Sequence, residues 1–185
     1  MAAALPISGL TAWQGLFDHA RLTTGQTVLI HGAAGGVGSI AVQVAHEAGA
    51  RVVGTGRSAD RDTVLDLGAH AFLDPEAGRW EDVGQVDVVF DVIGGTVLER
   101  SAALVRPGGT LVSVAQPPTV HPADARALAF VVEPDRARLA ELARRVRDGR
   151  LRVRVGAVRS LADAPAAFSS RQRVPGRTVI RVAED

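Results

Sequence analysis

The sequence contains no cysteine and no tyrosine, and lysine is absent as well. Without cysteine the chain can form no disulfide, no thiolate metal site and no cysteine nucleophile. Arginine therefore supplies the positive charge, and 21 basic against 20 acidic residues give a formal net charge of +1. A chain with this balance has no general electrostatic field for nucleic acid or for a membrane surface, and we expect neither partner.

Long apolar runs are absent too, since none reaches the roughly 18 residues that span a bilayer. The opening Met-Ala-Ala-Ala-Leu-Pro lacks the basic region of a signal peptide. With 185 residues, 46% of them hydrophobic, the chain can bury a core and fits one domain of roughly 150 residues with short appendages. We expect a soluble, cytoplasmic protein.

Short apolar stretches alternate with helical patterns through the middle of the chain. The predicted strands cover residues 27–31, 51–55, 71–73, 86–91, 109–115 and the segment from Leu128 to Val132. Several of them are apolar on both faces, which is typical of a parallel sheet covered by helices. The alternation predicts an α/β fold with a doubly wound parallel sheet, the Rossmann fold, carrying short N- and C-terminal appendages.

Both ends of the chain break this alternation. The first 25 residues predict a helix over about residues 10–20, and the last 35 predict a strand near 151–158, a helix near 162–168 and a strand at 177–182. We therefore divide the chain into a lead-in helix segment (1–25), a Rossmann domain (26–150) and a C-terminal segment (151–185). Two features of the middle domain indicate what it binds.

Glycines crowd the first strand-to-helix turn, at Gly32, Gly35, Gly36 and Gly38. Small residues allow a tight turn, let the backbone approach a pyrophosphate and let the helix pack against the strand. The amides and dipole at the start of a helix favour phosphate. Alanine replaces the first glycine of G-x-G-x-x-G, so the motif gains its weight from its position between strand and helix. The predicted pyrophosphate contacts are Ala33, Ala34, Gly35, Gly36, Val37 and Gly38.

The end of the second predicted strand indicates which dinucleotide binds. NAD-binding domains usually carry an acidic residue there for the ribose 2′-hydroxyl, but no carboxylate precedes Asp60. Arg57 can instead form a forked bond with the 2′-phosphate of NADPH. We add Gly56, the hydroxyl of Ser58 and the cation of Arg61 as neighbours of that phosphate. A solvated surface arginine is the alternative reading of Arg57.

Other polar residues give weaker signals. Asp91 ends the fourth predicted strand at the carboxyl edge of the sheet, where ligands bind in such folds, but it can equally cap the next helix. His31, His46 and His70 show no ligand spacing among themselves. No metal site is predicted, and no side chain is assigned to catalysis.

The chain resembles the quinone oxidoreductase branch of the medium-chain, zinc-alcohol-dehydrogenase-like superfamily. The resemblance runs in order over essentially the whole chain. Its motifs are Leu5-Pro-x-x-Gly9-Leu-Thr-Ala12-Trp13, Val28-Leu-Ile-His-Gly-Ala-Ala-Gly-Gly-Val-Gly38, Leu67-Gly-Ala69, Val86-Asp-Val-Val-Phe-Asp91-x-x-Gly-Gly95, Arg106-Pro-Gly-Gly109 and Gly176-Arg-x-Val-Ile180.

The resemblance implies a zinc-independent reductase that passes a hydride from NADPH to a small molecule such as a quinone, an activated alkene or an aldehyde. It implies that Thr11 lies near the nicotinamide and that the strand reaching Val114 and Ala115 closes over it. Family members often dimerise by pairing edge strands of this domain. The segment from Leu128 to Val132 would form that homodimer here.

One departure from the family is large. Family members begin with a barrel-like catalytic domain that supplies much of the substrate pocket, and nothing in this sequence corresponds to it. We therefore expect the chain to bind NADPH but to turn over poorly. A non-catalytic NADP-binding or redox-sensing module stays open as an alternative. A short-chain dehydrogenase is set aside because it needs a tyrosine, and a methyltransferase would want an acid after the second strand.

Overall fold

A six-stranded parallel sheet organises the computed structural model, which describes residues 2–169 and 176–183. Its strands lie in the order β3-β2-β1-β4-β5-β6, and every neighbouring pair is parallel. This order reverses between β1 and β4, which confirms the predicted doubly wound Rossmann sheet. The strands are β1 (Thr27–Ile30), β2 (Arg51–Thr55), β3 (Ala71–Leu73), β4 (Val86–Asp91), β5 (Val105–Ser113) and β6 (Arg126–Ala129).

Helices connect the strands and cover the sheet. They are α1 (Pro6–Trp13), α2 (Gly38–Glu47), α3 (Arg61–Asp66), α4 (Gly95–Ser101), α5 (Arg136–Arg147) and α6 (Ala164–Ser169). A π-helix over Gln14–His19 continues α1, and the predicted lead-in helix begins earlier than expected because Pro6 suits its first turn. The remaining strands, β7 (Val155–Ser160) and β8 (Arg177–Arg181), pair with each other in a separate parallel sheet.

Two hydrophobic cores lie on the two faces of the sheet. Val28 and Ile30 of β1 belong to one core, together with Leu142 of α5. Leu29, between them in sequence, belongs to the other core with Leu98 of α4. Alternate side chains of a strand point to opposite faces, so both faces of β1 are buried, as the continuous apolar runs predicted. Among the described residues, no helix is long and apolar enough to cross a membrane.

The last strand of the sheet lies earlier than predicted. β6 covers Arg126–Ala129. The Phe130 amide still donates to the Ser113 carbonyl of β5 at 3.3 Å, and beyond it Gln14 binds the backbone of Glu133. The Gln14 amide donates to the Glu133 carbonyl at 2.8 Å and accepts from the Glu133 amide at 3.0 Å. The predicted boundaries of this strand were therefore wrong. Val131 is 85% exposed, and pairing of a second copy along this segment stays a prediction.

A second buried glutamine holds the C-terminal segment against the domain. Gln43 of α2 donates to the Arg152 carbonyl at 2.9 Å and accepts from the Arg152 amide at 2.8 Å. One side-chain amide therefore satisfies both backbone groups of a residue that precedes β7. Unpaired backbone groups in a buried setting are costly, so this contact fixes where the chain leaves α5 and enters β7.

Replacing this amide tests its contribution to stability. We expect Gln43→Leu to lower the free energy of unfolding by about 1–3 kcal/mol, because it leaves the amide and carbonyl of Arg152 without partners. Urea denaturation measures the change. Gln85→Leu, at an exposed glutamine, is the control and should stay within about 0.5 kcal/mol of the parent chain. Equal effects of the two substitutions would show that the Gln43 contact carries no stability.

Candidate functional site

The glycine turn between β1 and α2 is built on a backbone-to-backbone contact. A Cβ atom added at Gly38 would lie 2.1 Å from the carbonyl oxygen of Gly32, so only glycine fits where α2 begins. The Ala33 amide donates to the Thr55 carbonyl at the end of β2 at 2.8 Å, and the Gly35 amide donates to the Gly32 carbonyl at 2.9 Å. All six predicted contact residues from position 33 to 38 therefore share one compact turn at the carboxyl edge of the sheet.

The loop after β4 forms a second wall beside this turn. Ile30 and Phe90 are paired in the ladder between β1 and β4, so the two strands end side by side. A Cβ at Gly32 would lie 2.8 Å from Val92 Cγ2 and 2.9 Å from Ile93 Cδ1. Ile93 is 47% exposed. Turn and loop thus lie side by side where the strand order reverses, the position at which open α/β sheets form a ligand-binding crevice.

The carboxylate of Asp91 lies beneath this crevice and is fully buried. It accepts hydrogen bonds from the amides of Ile93 and Gly94 at 3.0–3.1 Å and from Ser113 Oγ at 2.7 Å. These donors tie the end of β4 to the turn before α4 and to β5. Asp91 therefore binds the turn before α4 and does not cap the helix itself, whose N-cap is Gly94 without a side-chain cap hydrogen bond. Its contact with the cofactor stays a prediction.

His31 is fully buried at the end of β1, and its hydrogen bonds define its tautomer. Ser101 Oγ donates its single proton to the Val97 carbonyl, so it must accept from His31 Nε2, 2.5 Å away. His31 Nδ1 then carries a lone pair and accepts from Thr55 Oγ1 at 2.9 Å. Burial lowers the pKa of His31 from 6.5 to about 4, with the charge of Asp91 opposing the shift. The ring is therefore neutral at physiological pH.

The predicted 2′-phosphate residues meet at the end of β2. Arg57, Ser58 and Arg61 are all exposed, and Gly56 precedes them. The structure adds a residue that sequence reasoning missed: Asp74, after β3, accepts from the amide of Ser58 at 2.9 Å and from its hydroxyl at 2.5 Å. The Ser58 hydroxyl, followed by the Glu76 amide, lowers the pKa of Asp74.

Asp60 places a second carboxylate at this turn by accepting from the Arg57 amide at 3.3 Å. A groove of about 400 Å³ runs along the same edge and is lined by Ser58, Arg61 and Asp74, among others. The turn after β2 therefore offers two exposed guanidinium groups and two carboxylates to solvent. The sequence pattern could not reveal that Asp74 lies beside Ser58, because the two residues are 16 positions apart in the chain.

The residues assigned to the nicotinamide end lie outside the glycine turn, in α1 and directly after β5. Thr11 is buried in α1, and its hydroxyl donates to the Ile7 carbonyl at 2.6 Å. Val114 and Ala115 follow β5 rather than ending it; the Val114 amide donates to the Asp91 carbonyl and the Ala115 amide to Ser113 Oγ. In the described part of the chain, no hydrogen bond joins these three residues to the glycine turn.

Across the described ranges, no group of three or more histidine or acidic residues could hold a metal ion. The full sequence has no cysteine. A zinc site needs about four clustered ligands of these types, and the described residues form no such cluster.

Titration of His31 should be visible in the stability of the chain. Its folded pKa lies below its unfolded one, so the unfolded chain binds more protons between those values and stability falls as pH drops from about 6.5 to about 4. We expect this residue to account for about 3 kcal/mol of that loss. The measurement is urea unfolding at several pH values for the parent chain and for His31→Gln.

His31→Gln should be less stable at neutral pH and should show a shallower loss over this window. His121→Gln, at an exposed histidine, is the control and should follow the parent chain. A parent-like pH profile for His31→Gln would contradict the buried neutral ring.

Comparisons with known proteins agree with this geometry. A family model described as zinc-binding dehydrogenase matches residues 36–134, more than half of the chain. The chain is 44% identical over 119 residues to the spectinabilin polyketide synthase system protein NorB of Streptomyces orinoci, a match covering 61% of this chain and 6% of that protein.

Solved structures with the same fold include two reductases. The quinone oxidoreductase of Coxiella burnetii superposes with a TM-score of 0.88 at 29% identity, covering 98% of this chain and 60% of the other. The CurK enoyl reductase superposes with a TM-score of 0.75 at 28% identity, covering 90% and 57%. This chain thus spans a small part of the synthase and less than two thirds of each reductase. It belongs to the zinc-binding dehydrogenase family of the medium-chain dehydrogenase/reductase superfamily, a family of oxidoreductases.

Proposed function

We propose that this chain binds NADPH in the crevice over its glycine turn and is the cofactor-binding domain of a reductase. The proposal rests on the close contact at Gly38, where an added Cβ would lie 2.1 Å from the carbonyl oxygen of Gly32. This contact brings the start of α2 against the end of β1 at the point where the strand order reverses. A pyrophosphate fits there because the first amides of a helix have no acceptor within the helix.

The walls of the crevice also fit the rest of a dinucleotide. Ile93 offers a half-exposed apolar face beside the turn, suited to an aromatic base. Arg57 and Arg61 offer positive charge at the end of β2, suited to the 2′-phosphate of NADPH. The buried carboxylate of Asp91 binds the amides of the loop after β4. The neutral ring of His31 links Thr55 at the end of β2 to Ser101 of α4.

The relatives favour an activated alkene or a quinone as the acceptor. One solved relative is an enoyl reductase, another is a quinone oxidoreductase, and the sequence relative belongs to a polyketide synthase system. When bound, NADPH supplies a hydride to an electron-poor carbon of such a substrate. The role of this chain is to bind the cofactor, orient it and cover one side of it.

The choice between NADPH and NADH depends on opposing charges at one turn. Arg57 and Arg61 favour a 2′-phosphate, whereas Asp60 and Asp74 disfavour it and could accept from a free 2′-hydroxyl. The carboxylate of Asp74 already accepts hydrogen bonds from Ser58. We therefore propose that the exposed guanidinium groups of Arg57 and Arg61 determine the preference, so that NADPH binds more tightly than NADH.

Calorimetric titration of the chain with NADPH and NADH tests the cofactor proposal. We expect Arg57→Ala to weaken NADPH binding by about 10- to 100-fold with little effect on NADH, because a charge-assisted bond to the 2′-phosphate is lost. Arg136→Ala is the matched control, since Arg136 is also exposed but lies at the start of α5, outside this groove. Asp74→Asn should strengthen NADPH binding several-fold by removing a negative charge.

Two outcomes would contradict the proposal. Binding of neither dinucleotide to the parent chain would contradict the Rossmann site. Tighter binding of NADH, weakened by Asp74→Asn, would assign the turn to a ribose hydroxyl and overturn the choice of NADPH.

The reductase role is tested by following NADPH oxidation with a quinone and with an enoyl thioester, alone and with the catalytic domain of a relative added. We expect slow oxidation by the chain alone and faster oxidation with the added domain, because a closed cleft excludes water and positions the acceptor. NADPH binding without oxidation of either acceptor under both conditions would favour a non-catalytic NADP-binding module.

A further inference from the structure

The beginning of β8 lies directly against the glycine turn. Gly176 forms an isolated parallel bridge with Gly35. The side chain of Arg177 crosses Gly36, since a Cβ added there would lie 2.8 Å from Arg177 Cδ and 2.9 Å from its Nε. Gly36 thus lacks a side chain where an arginine passes over it. The C-terminal segment, which the sequence placed outside the cofactor-binding domain, forms a wall of the crevice.

Hydrogen bonds hold Arg177 in this position from two directions. Its amide donates to the Arg154 carbonyl at 2.8 Å, and its Nε donates to Ser8 Oγ at 2.6 Å. Ser8 is fully buried in α1, so it is a fixed anchor. A guanidinium bound through Nε keeps the N–H groups of both terminal nitrogens for another acceptor.

Among the residues that the structure describes, none neutralises the positive charge at this junction. Within the described ranges, no carboxylate forms an ion pair with Arg177 or with Arg154. In addition, Nη1 of Arg154 is buried and finds no hydrogen-bond partner in the described part of the chain. Guanidinium groups stay charged in proteins, and a half-buried cation without a partner is costly. An anion between the turn and β8 would offset that cost.

We propose that Arg177 binds the pyrophosphate of the dinucleotide. This inference rests on the proposed function and assigns a further residue to the same site. The turn and the start of α2 provide amide dipoles but no full charge, and Arg177 provides the charge through a forked contact with phosphate oxygens. Arg57 therefore recognises the 2′-phosphate, and Arg177 recognises the pyrophosphate that all nicotinamide dinucleotides share.

Three probes separate these two roles in the 185-residue chain. NADPH carries both groups, ADP-ribose carries only the pyrophosphate, and adenosine 2′-monophosphate carries only the 2′-phosphate. We expect Arg177→Gln to weaken NADPH and ADP-ribose binding by about 10- to 100-fold and to leave adenosine 2′-monophosphate unchanged. Arg57→Ala should show the reverse pattern for the two fragments. Arg181→Gln, an exposed arginine on the same strand, is the matched control and should affect none of the probes.

Salt dependence separates a charge contact from a structural role. Binding of ADP-ribose should weaken with salt less steeply in Arg177→Gln than in the parent chain, because one charge pair no longer exists to be screened. Should Arg177→Gln fail to fold, Arg177→Lys keeps the charge, loses the fork and should weaken ADP-ribose selectively.

Several results would overturn the assignment of Arg177. Parent-like binding of ADP-ribose by a folded Arg177→Gln variant, or by Arg177→Lys where that is the variant measured, would overturn it while leaving the proposed function intact. Tighter binding by Arg177→Gln would show that the arginine obstructs the crevice. Failure of the parent chain to bind any probe would overturn the proposed function and this inference together.

Discussion

The start of α2 lies against the end of β1, and this close contact sets the positions of the elements around the glycine turn. At Gly38 there is room for a hydrogen but not for a methyl group, because the Gly32 carbonyl occupies that space. The helix can therefore begin immediately after the strand, with its amino-terminal amides at the carboxyl edge of the sheet. A longer or bulkier connection would move those amides away from the reversal point between β1 and β4.

Buried polar side chains beneath the glycine turn fix the positions of the strand ends at the carboxyl edge of the sheet. His31 joins Thr55 to Ser101, and Asp91 joins the turn before α4 to Ser113. Each of these groups is satisfied by protein partners, so each strand end is tied to its neighbours. Buried networks of this kind specify geometry as long as every member keeps its bond. The backbone at this edge is thus held by bonds within the protein.

Much of the fold could be read from local patterns, because strands buried on both faces and glycines at a strand-to-helix turn leave clear signals. β1, β2 and β4 appear close to where the apolar runs placed them. The contact of Gln14 with the Glu133 backbone after β6 could not be predicted, since the two residues are 119 positions apart. Likewise, no pattern reveals that Asp74 would reach Ser58 or that Arg177 would cross Gly36. Each of these is a contact between distant parts of the chain.

We propose that the turn from Gly32 to Gly38 holds the pyrophosphate of a nicotinamide dinucleotide. Amide NMR spectra recorded with and without NADPH test this binding site. We expect the shifted amides to cluster in this turn, after β2 and around Ile93, at the carboxyl edge of the sheet. Shifts confined to other surfaces, or no shifts at saturating NADPH, would contradict it.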